Sequence, residues 1–218
     1  MKELENRFTM KGVGAPRCCL GGDVLELDEQ WQLEDLTHAF SASTHIQNCI
    51  PKMAEMLGVE QFRKMGTPMD PDCHPELDES PLVNADKISQ FRSMIGSLNW
   101  ILTLGRFDIA FALNTMSRHC MAPREGHFEA MKRIFGFLRW FPQGQIIIDP
   151  NDAPIRQDAI VSTGFKWHEF CPDACEDIPL NMPEPQGPTI KLTCCVDADH
   201  ARDKLTRKSV AGIVLLMN

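Results

Sequence analysis

Between Lys87 and Trp140 the apolar residues recur at a period that leaves little choice of local structure. Ile88, Phe91, Ile95, Leu98 and Leu102 fall at i, i+3, i+7, i+10 and i+14, reinforced by Met94 and Ile101. That spacing predicts one amphipathic helix. Asp86 stands before it as a candidate cap. Gly105-Arg106 ends this helix, and Phe107 to Met116 begins another. Pro123 suits the first turn of a third, whose apolar positions are Phe128, Met131, Ile134, Phe135 and Leu138. Pro142 and Gly144 close it, and Gln145 to Asp149 reads as a short strand.

The flanks are less regular. Cys18 to Leu27 alternates after Gly21-Gly22 well enough for a hairpin arm, while Gly12, Gly14 and Pro16 break what precedes it. Ser41 to Leu57 carries Ile46, Ile50, Met53 and Leu57 on one helical face, and Pro51 inside it demands a kink or a late start. Gly66 to Pro81 holds four prolines and several acids and reads as a loop. Pro150 to Pro188 is Pro- and acid-rich without a sustained period, as in a linker. Thr189 to Asp197 and Ser209 to Met217 are β-rich, with a polar turn over Asp199 to Lys208 between them. Two strands alone are marginal in water, so the last pair is expected to belong to a larger domain.

Composition narrows the functional classes. At 218 residues, 43% hydrophobic and 24% charged, the chain matches a folded domain and excludes a disordered, collagenous or disulfide-miniature protein. No apolar run is long enough for a membrane span, so no membrane partner is expected. Nine cysteines without a signal-like N-terminus point to reduced thiols in a cytoplasmic or nuclear setting. The net charge is −8, yet Lys87 to Trp140 holds eight Lys/Arg against three Asp/Glu. A basic helical middle beside acidic connectors is compatible with nucleic-acid binding and equally with chance segregation on a solvated surface.

The polar side of the central helix is the first candidate site. Arg92, Gly96 and Trp100 lie four apart on one stripe that Thr103 continues. A helix-interior glycine costs about 1 kcal/mol relative to alanine, so it normally has a packing or approach reason. A cation, a gap and a flat aromatic in register would let the helix lie against a nucleic-acid groove. Helix–helix packing through the gap at Gly96 is the competing reading.

Met94-Ile95-Gly96-Ser97-Leu98-Asn99-Trp100 resembles the Gly-x-Leu-Asn-Trp signature of reverse-transcriptase thumb helices. Further runs resemble the copia-type LTR-retrotransposon Pol polyprotein in that family's order. Gly66-Thr67-Pro68-Met69 is similar to its Thr-Pro-Met loop. Leu104 to Ala112 is similar to its Thr-Arg-Pro-Asp-Ile-Ala run, with Gly105 and Phe107 as departures. Ala122-Pro123-Arg124-Glu125-Gly126-His127-Phe128-Glu129-Ala130 is similar to its Ala-Pro-Arg-x-x-His-x-x-Ala motif. Thr9 to Gly14 resembles the segment closing the polymerase palm, and Leu20-Gly21-Gly22-Asp23-Val24 the hairpin that grips the primer terminus. There Gly22 replaces a bulky residue. Cys194 to Ala201 and Thr206 to Gly212 resemble the first two strands of the family's ribonuclease H.

The resemblance implies an α+β chain. Residues 1–30 would be the end of the palm with the primer-grip hairpin, and 31–148 a mainly helical thumb and connection. Residues 149–188 would be an acidic linker, and 189–218 the first two strands of a truncated ribonuclease H-like domain. It implies a primer–template duplex as partner, held by Arg92, Gly96, Trp100, Leu20, Gly21 and Gly22, together with the remaining Pol segments. Asp197 would be the first ribonuclease H carboxylate and metal ligand, with Asp199 already leaving the strand for the turn. Mg²⁺ would serve the intact polyprotein and none is expected for the isolated chain. Polymerases of this kind use palm carboxylates to hold two metal ions, in this family including an Asp-Asp pair, and no such pair occurs in the sequence. The chain is therefore expected to be inactive alone. The alternatives are a non-enzymatic remnant that binds nucleic acid or self-associates, and an unexpressed, decayed element copy. Cys19 and Cys195 standing where the family tends to place aromatics, in a chain without Tyr, suits the last.

Other groupings are weak. His168, Cys171 and Cys175 fall short of the four ligands of a structural zinc site. Asp72-Cys73-His74 stands isolated in a loop.

Overall fold

The computed structural model describes residues 16–27, 37–148, 169, 172, 180–183 and 192–217. The palm-closing segment Thr9 to Gly14, most of the acidic linker and the His168, Cys171 and Cys175 grouping lie outside them. The chain is α+β, with four helices and two small sheets among the described residues. It divides into two compact units, Met1–Ile148 with Asp199–Val210, and Asp149–Ala198 with Ala211–Asn218.

The first unit contains a four-stranded antiparallel sheet in the order β1 (Cys18–Cys19), β2 (Gly22–Leu27), β3 (Thr37–Ser41) and β4 (Gln145–Ile148). β1 and β2 turn through two residues with positive φ, Leu20 at 50° and Gly21 at 82°. Positive φ at both loop positions is what a tight hairpin with right-twisted strands requires. β3 was not expected. Ser41 ends that strand instead of opening a helix, and the sheet draws its strands from both sides of position 30. The residues of β3 pair with β4 across more than a hundred positions, His38 opposite Ile148 and Ser41 opposite Gln145.

Four helices pack beside the sheet: α1 (Ser43–Leu57), α2 (Ala85–Thr103), α3 (Ala110–Ser117) and α4 (Glu125–Trp140). α1 takes a cap from another element, since the Thr44 N–H donates to Asp23 of β2 at 2.9 Å. It starts well before Pro51, so of the two alternatives, a kink or a late start, the late start does not occur. Pro51 is exposed, and on that side the carbonyl it leaves unpaired can bond water. Gly58, at φ 62°, closes the helix in the left-handed conformation, with Val59 N–H reaching back to the Ala54 carbonyl. The cap of α2 is Asn84, whose side chain accepts from Lys87 N–H at 3.0 Å; Asp86 lies inside the first turn. Arg124 occupies the N-cap position of α4, which leaves Pro123 just outside the helix.

The core is the meeting of three apolar stripes: Ile46, Ile50 and Met53 of α1, Phe91, Met94, Leu98 and Ile101 of α2, and Met131, Ile134, Phe135 and Leu138 of α4. On α2 Phe91, Met94, Leu98 and Ile101 are all fully buried, while Ile88 and Leu102 lie half-buried at the edge of the stripe. Each fully buried side chain of this kind contributes about 1.5–3 kcal/mol by burial.

β5 (Leu192–Asp199) and β6 (Val210–Met217) form a two-stranded sheet. Among the described residues no helix is long and apolar enough to cross a membrane.

Candidate nucleic-acid interface

The stripe on α2 and the β1–β2 turn are brought together. The Trp100 indole Nε1 lies 3.9 Å from where a Cβ on Gly21 would sit. Trp100 is 42% exposed and Leu20, at the tip of the turn, 79%. One turn of helix before Trp100, a Cβ on Gly96 would meet nothing within 4 Å. Helix–helix packing therefore does not account for this glycine, because no described atom fills the gap. What remains is a notch on an accessible helix face, flanked by an indole and a hairpin tip.

Arg92 is placed differently. It lies on the same exposed face about 12 Å from Trp100 along the axis, and its Nε–H donates to the Cys120 carbonyl at 3.0 Å. That bond ties α2 to the segment after α3 and engages part of the guanidinium. Gly22 is buried. A Cβ there would fall 2.3 Å from the Phe40 ring, so Phe40 fills the space that a bulkier residue would occupy. Gly22 shapes the hairpin from within, whereas Leu20 and Gly21 form its surface.

The Ala-Pro-Arg-x-x-His segment does structural work. Its backbone forms a bridge from Arg124 to Leu82, with Val83 N–H donating to the Pro123 carbonyl and Glu125 N–H to that of Pro81. Arg124 Nη1 donates to the Ser80 carbonyl. His127, 2% exposed, accepts from the Arg124 backbone N–H at Nδ1. The ring proton is then on Nε2, which donates to the Pro75 carbonyl at 3.1 Å. A Cβ on Gly126 would strike the Asp78 carboxylate at 2.4 Å, so only glycine admits that approach. Burial would raise the Asp78 carboxyl, but the Ser80 N–H and hydroxyl, with His127 and Arg124 nearby, hold it below the usual carboxylate range. The Gly66–Pro81 loop is thus strapped to the start of α4.

Arg106 is likewise structural. It is 1% exposed, with its guanidinium bonded to Asp108 at 2.9 and 2.7 Å and lying over the Phe137 ring at 5.6 Å. Gly144 is required beside it, since a Cβ there would lie 2.6 Å from Arg106 Nε. Sequence reasoning gave neither residue this role, and the only local signal was a basic residue flanked by apolar ones.

Asp197 is exposed in β5. Asp199 is still within that strand, as its last residue, and lies 3.7 Å from Arg202. Among the described residues no three His, Cys, Asp or Glu side chains group around a point that could hold a metal ion.

No family model and no solved structure matches the chain significantly. The chain is 26% identical over 138 residues to a transposon Ty5-1 protein of Saccharomyces cerevisiae, covering 63% of this chain and 41% of that protein. It is 33% identical over 87 residues to the retrovirus-related Pol polyprotein from transposon RE1 of Arabidopsis thaliana, covering 40% of this chain and 6% of the polyprotein. The chain spans less than half the length of either relative.

Proposed function

We propose that this chain, a relative of retrotransposon Pol polyproteins, carries a duplex-holding surface of a copia-type reverse transcriptase. The observation that supports this most is the approach of Trp100 to the Gly21 turn beside the uncovered Gly96. A rigid helix face with an indole, a gap and a hairpin tip can follow the sugar–phosphate backbone of a primer–template duplex without reading its sequence. Arg92, on the same exposed face, supplies a cation that favours such a polyanion. The chain's own part is binding and orientation. In the intact polyprotein, DNA synthesis on RNA and removal of that RNA by ribonuclease H would follow, with Mg²⁺ supplying charge stabilisation and Asp197 as one of the ribonuclease ligands. The other Pol segments are then its natural partners. The free cysteines among the described residues suit a reducing, intracellular setting.

The test is binding of a fluorescent RNA–DNA hybrid at low salt. Trp100→Ala and Gly96→Leu are each expected to weaken binding about fivefold or more, the loss of one good contact. Ser97→Leu, on the neighbouring and less exposed stripe, is expected to have a smaller effect. Equal losses for Gly96→Leu and Ser97→Leu, or no hybrid binding by the native chain, would overturn the reading.

A further inference from the structure

A second surface lies on α4, formed with the loop Val59–Met65. Here the loop crosses the helix closely. A Cβ on Gly136 would sit 2.7 Å from the Arg63 carbonyl, so glycine permits the crossing. Phe62, 5% exposed, anchors the loop with its ring 6.1 Å from Phe135. Trp140 Nε1–H donates to the Phe62 carbonyl at 3.3 Å. Between loop and helix runs an open cleft of about 280 Å³ whose charged walls are Arg63, Glu129, Lys132 and Arg133.

The cations differ in how fully they are committed. Arg133 is fixed by the Thr67 hydroxyl at 2.9 Å and by Asp70 at 3.2 Å. Among the described residues Lys132 pairs only with Glu129, at 2.6 Å, the lysine side chain 32% and the glutamate 71% exposed. Exposed pairs of this kind are worth about 0–1 kcal/mol and exchange readily for a better anion. Arg63 has no ionic partner among the described residues. Beyond the cleft, Lys64 lies over the rings of Trp140 and Phe141 at 5.6 and 5.9 Å, and both rings are exposed by more than two-fifths.

We propose that this cleft is a second nucleic-acid contact, which takes the phosphodiester backbone of a single strand on Arg63 and Lys132 while a base stacks on Trp140 or Phe141. Cations beside flat, accessible rings on a rigid floor are the elements of sequence-tolerant single-strand binding. A duplex keeps its base faces stacked inside and cannot use the rings. An acidic peptide could satisfy Arg63 and Lys132 but would make no use of the exposed ring surface of Trp140 and Phe141. The cleft's open form suits a strand passing across it. This assignment stands on the α4 cleft and does not rest on the duplex face of α2.

The experiment measures anisotropy of a fluorescent oligothymidylate and, separately, of an RNA–DNA hybrid, with the full chain at about 50 mM salt. Arg63→Gln with Lys132→Gln removes two surface cations without touching the core. The pair should weaken oligothymidylate binding at least about fivefold and lower the salt slope by about 1.4, at roughly 0.7 per phosphate contact on a single strand. Trp140→Leu should weaken it by about fivefold or more through lost stacking. Trp100→Ala should leave oligothymidylate binding intact, so failure at this cleft and failure at the duplex face are read separately. Unchanged affinity in the Arg63/Lys132 variant whose thermal melt matches the native chain would overturn the proposal. So would equal competition by polyglutamate of matched charge, which would make the cleft a carboxylate dock.

Discussion

At the residue scale, Gly22 and Phe40 show how a departure in sequence is absorbed in three dimensions. The ring of Phe40 occupies the place where a side chain at position 22 would point. Restoring bulk with Gly22→Val should overpack the hairpin and cost about 1–3 kcal/mol. In a Phe40→Ala background the same substitution should cost little or become favourable, because the cavity then accepts the methyl groups. Chemical denaturation of the double-mutant cycle measures the coupling. Identical costs in both backgrounds would mean that the ring is not what excludes the side chain.

At the element scale, α3 and α4 meet through two imidazoles. His119, just after α3, lies against His127 with ring centroids 4.2 Å apart and the rings tilted by 41°, and its Nε2 is buried without a hydrogen-bond partner among the described residues. Burial first, with His127 and Arg118 beside the ring adding to it, pushes His119 down to about 4. The folded chain therefore holds the ring neutral, while the unfolded chain takes up a proton near the ordinary value of 6.5. Stability from this source is complete above about pH 6.5 and falls as the pH drops toward 4. Because the ring is part-exposed and screened, the loss should be of the order of 1–2 kcal/mol, well below what the full shift implies. Glu76 and Asp78, which face the same cluster, have carboxyls below their ordinary values and lose their contribution only at still lower pH. Thermal melts from pH 7 to 4 should show a slope that His119→Leu flattens. Parallel curves for native and variant chains would refute the assignment.

At the scale of the whole molecule, Asp199–Val210 is distant in sequence from the helices yet belongs to the first compact unit. Asp203, 7% exposed, is its anchor: it accepts from Arg118 of the α3 C-cap at 3.0 Å and from its own turn at Thr206 N–H at 2.8 Å. Arg202 adds a bond to the Pro71 carbonyl at 2.9 Å and lies over the Phe111 ring at 4.8 Å. Asp203→Ala should lower the melting temperature by several degrees, since it strips the turn of its internal bonds and leaves Arg118 unpaired. Arg118→Ala should lower it less, and the double variant should add little to Asp203→Ala. Full additivity would show that the two side chains act separately.

What could be read from the chain alone were features written in neighbouring residues. The apolar faces of α1, α2 and α4, the hairpin arm that follows Gly21 and the strand at Gln145–Ile148 follow from period and turn chemistry, which depend on positions a few residues apart. The order of short motifs likewise carried the resemblance to retrotransposon Pol sequences. Tertiary structure decided everything that needed a partner far along the chain. β3 is a strand because β2 and β4 flank it, and its five residues have too little pattern to declare it. Asn84 caps α2 in place of Asp86 because backbone geometry, and not residue type, selects between neighbouring polar side chains. His127 and Arg106, which the sequence shows only as members of short motifs, are consumed in strapping a loop and filling a corner. Trp100 joins the hairpin turn only because the helix and sheet pack at one particular register. Local pattern fixes which face of an element is apolar, but which surface residues become neighbours is set by how the elements are stacked.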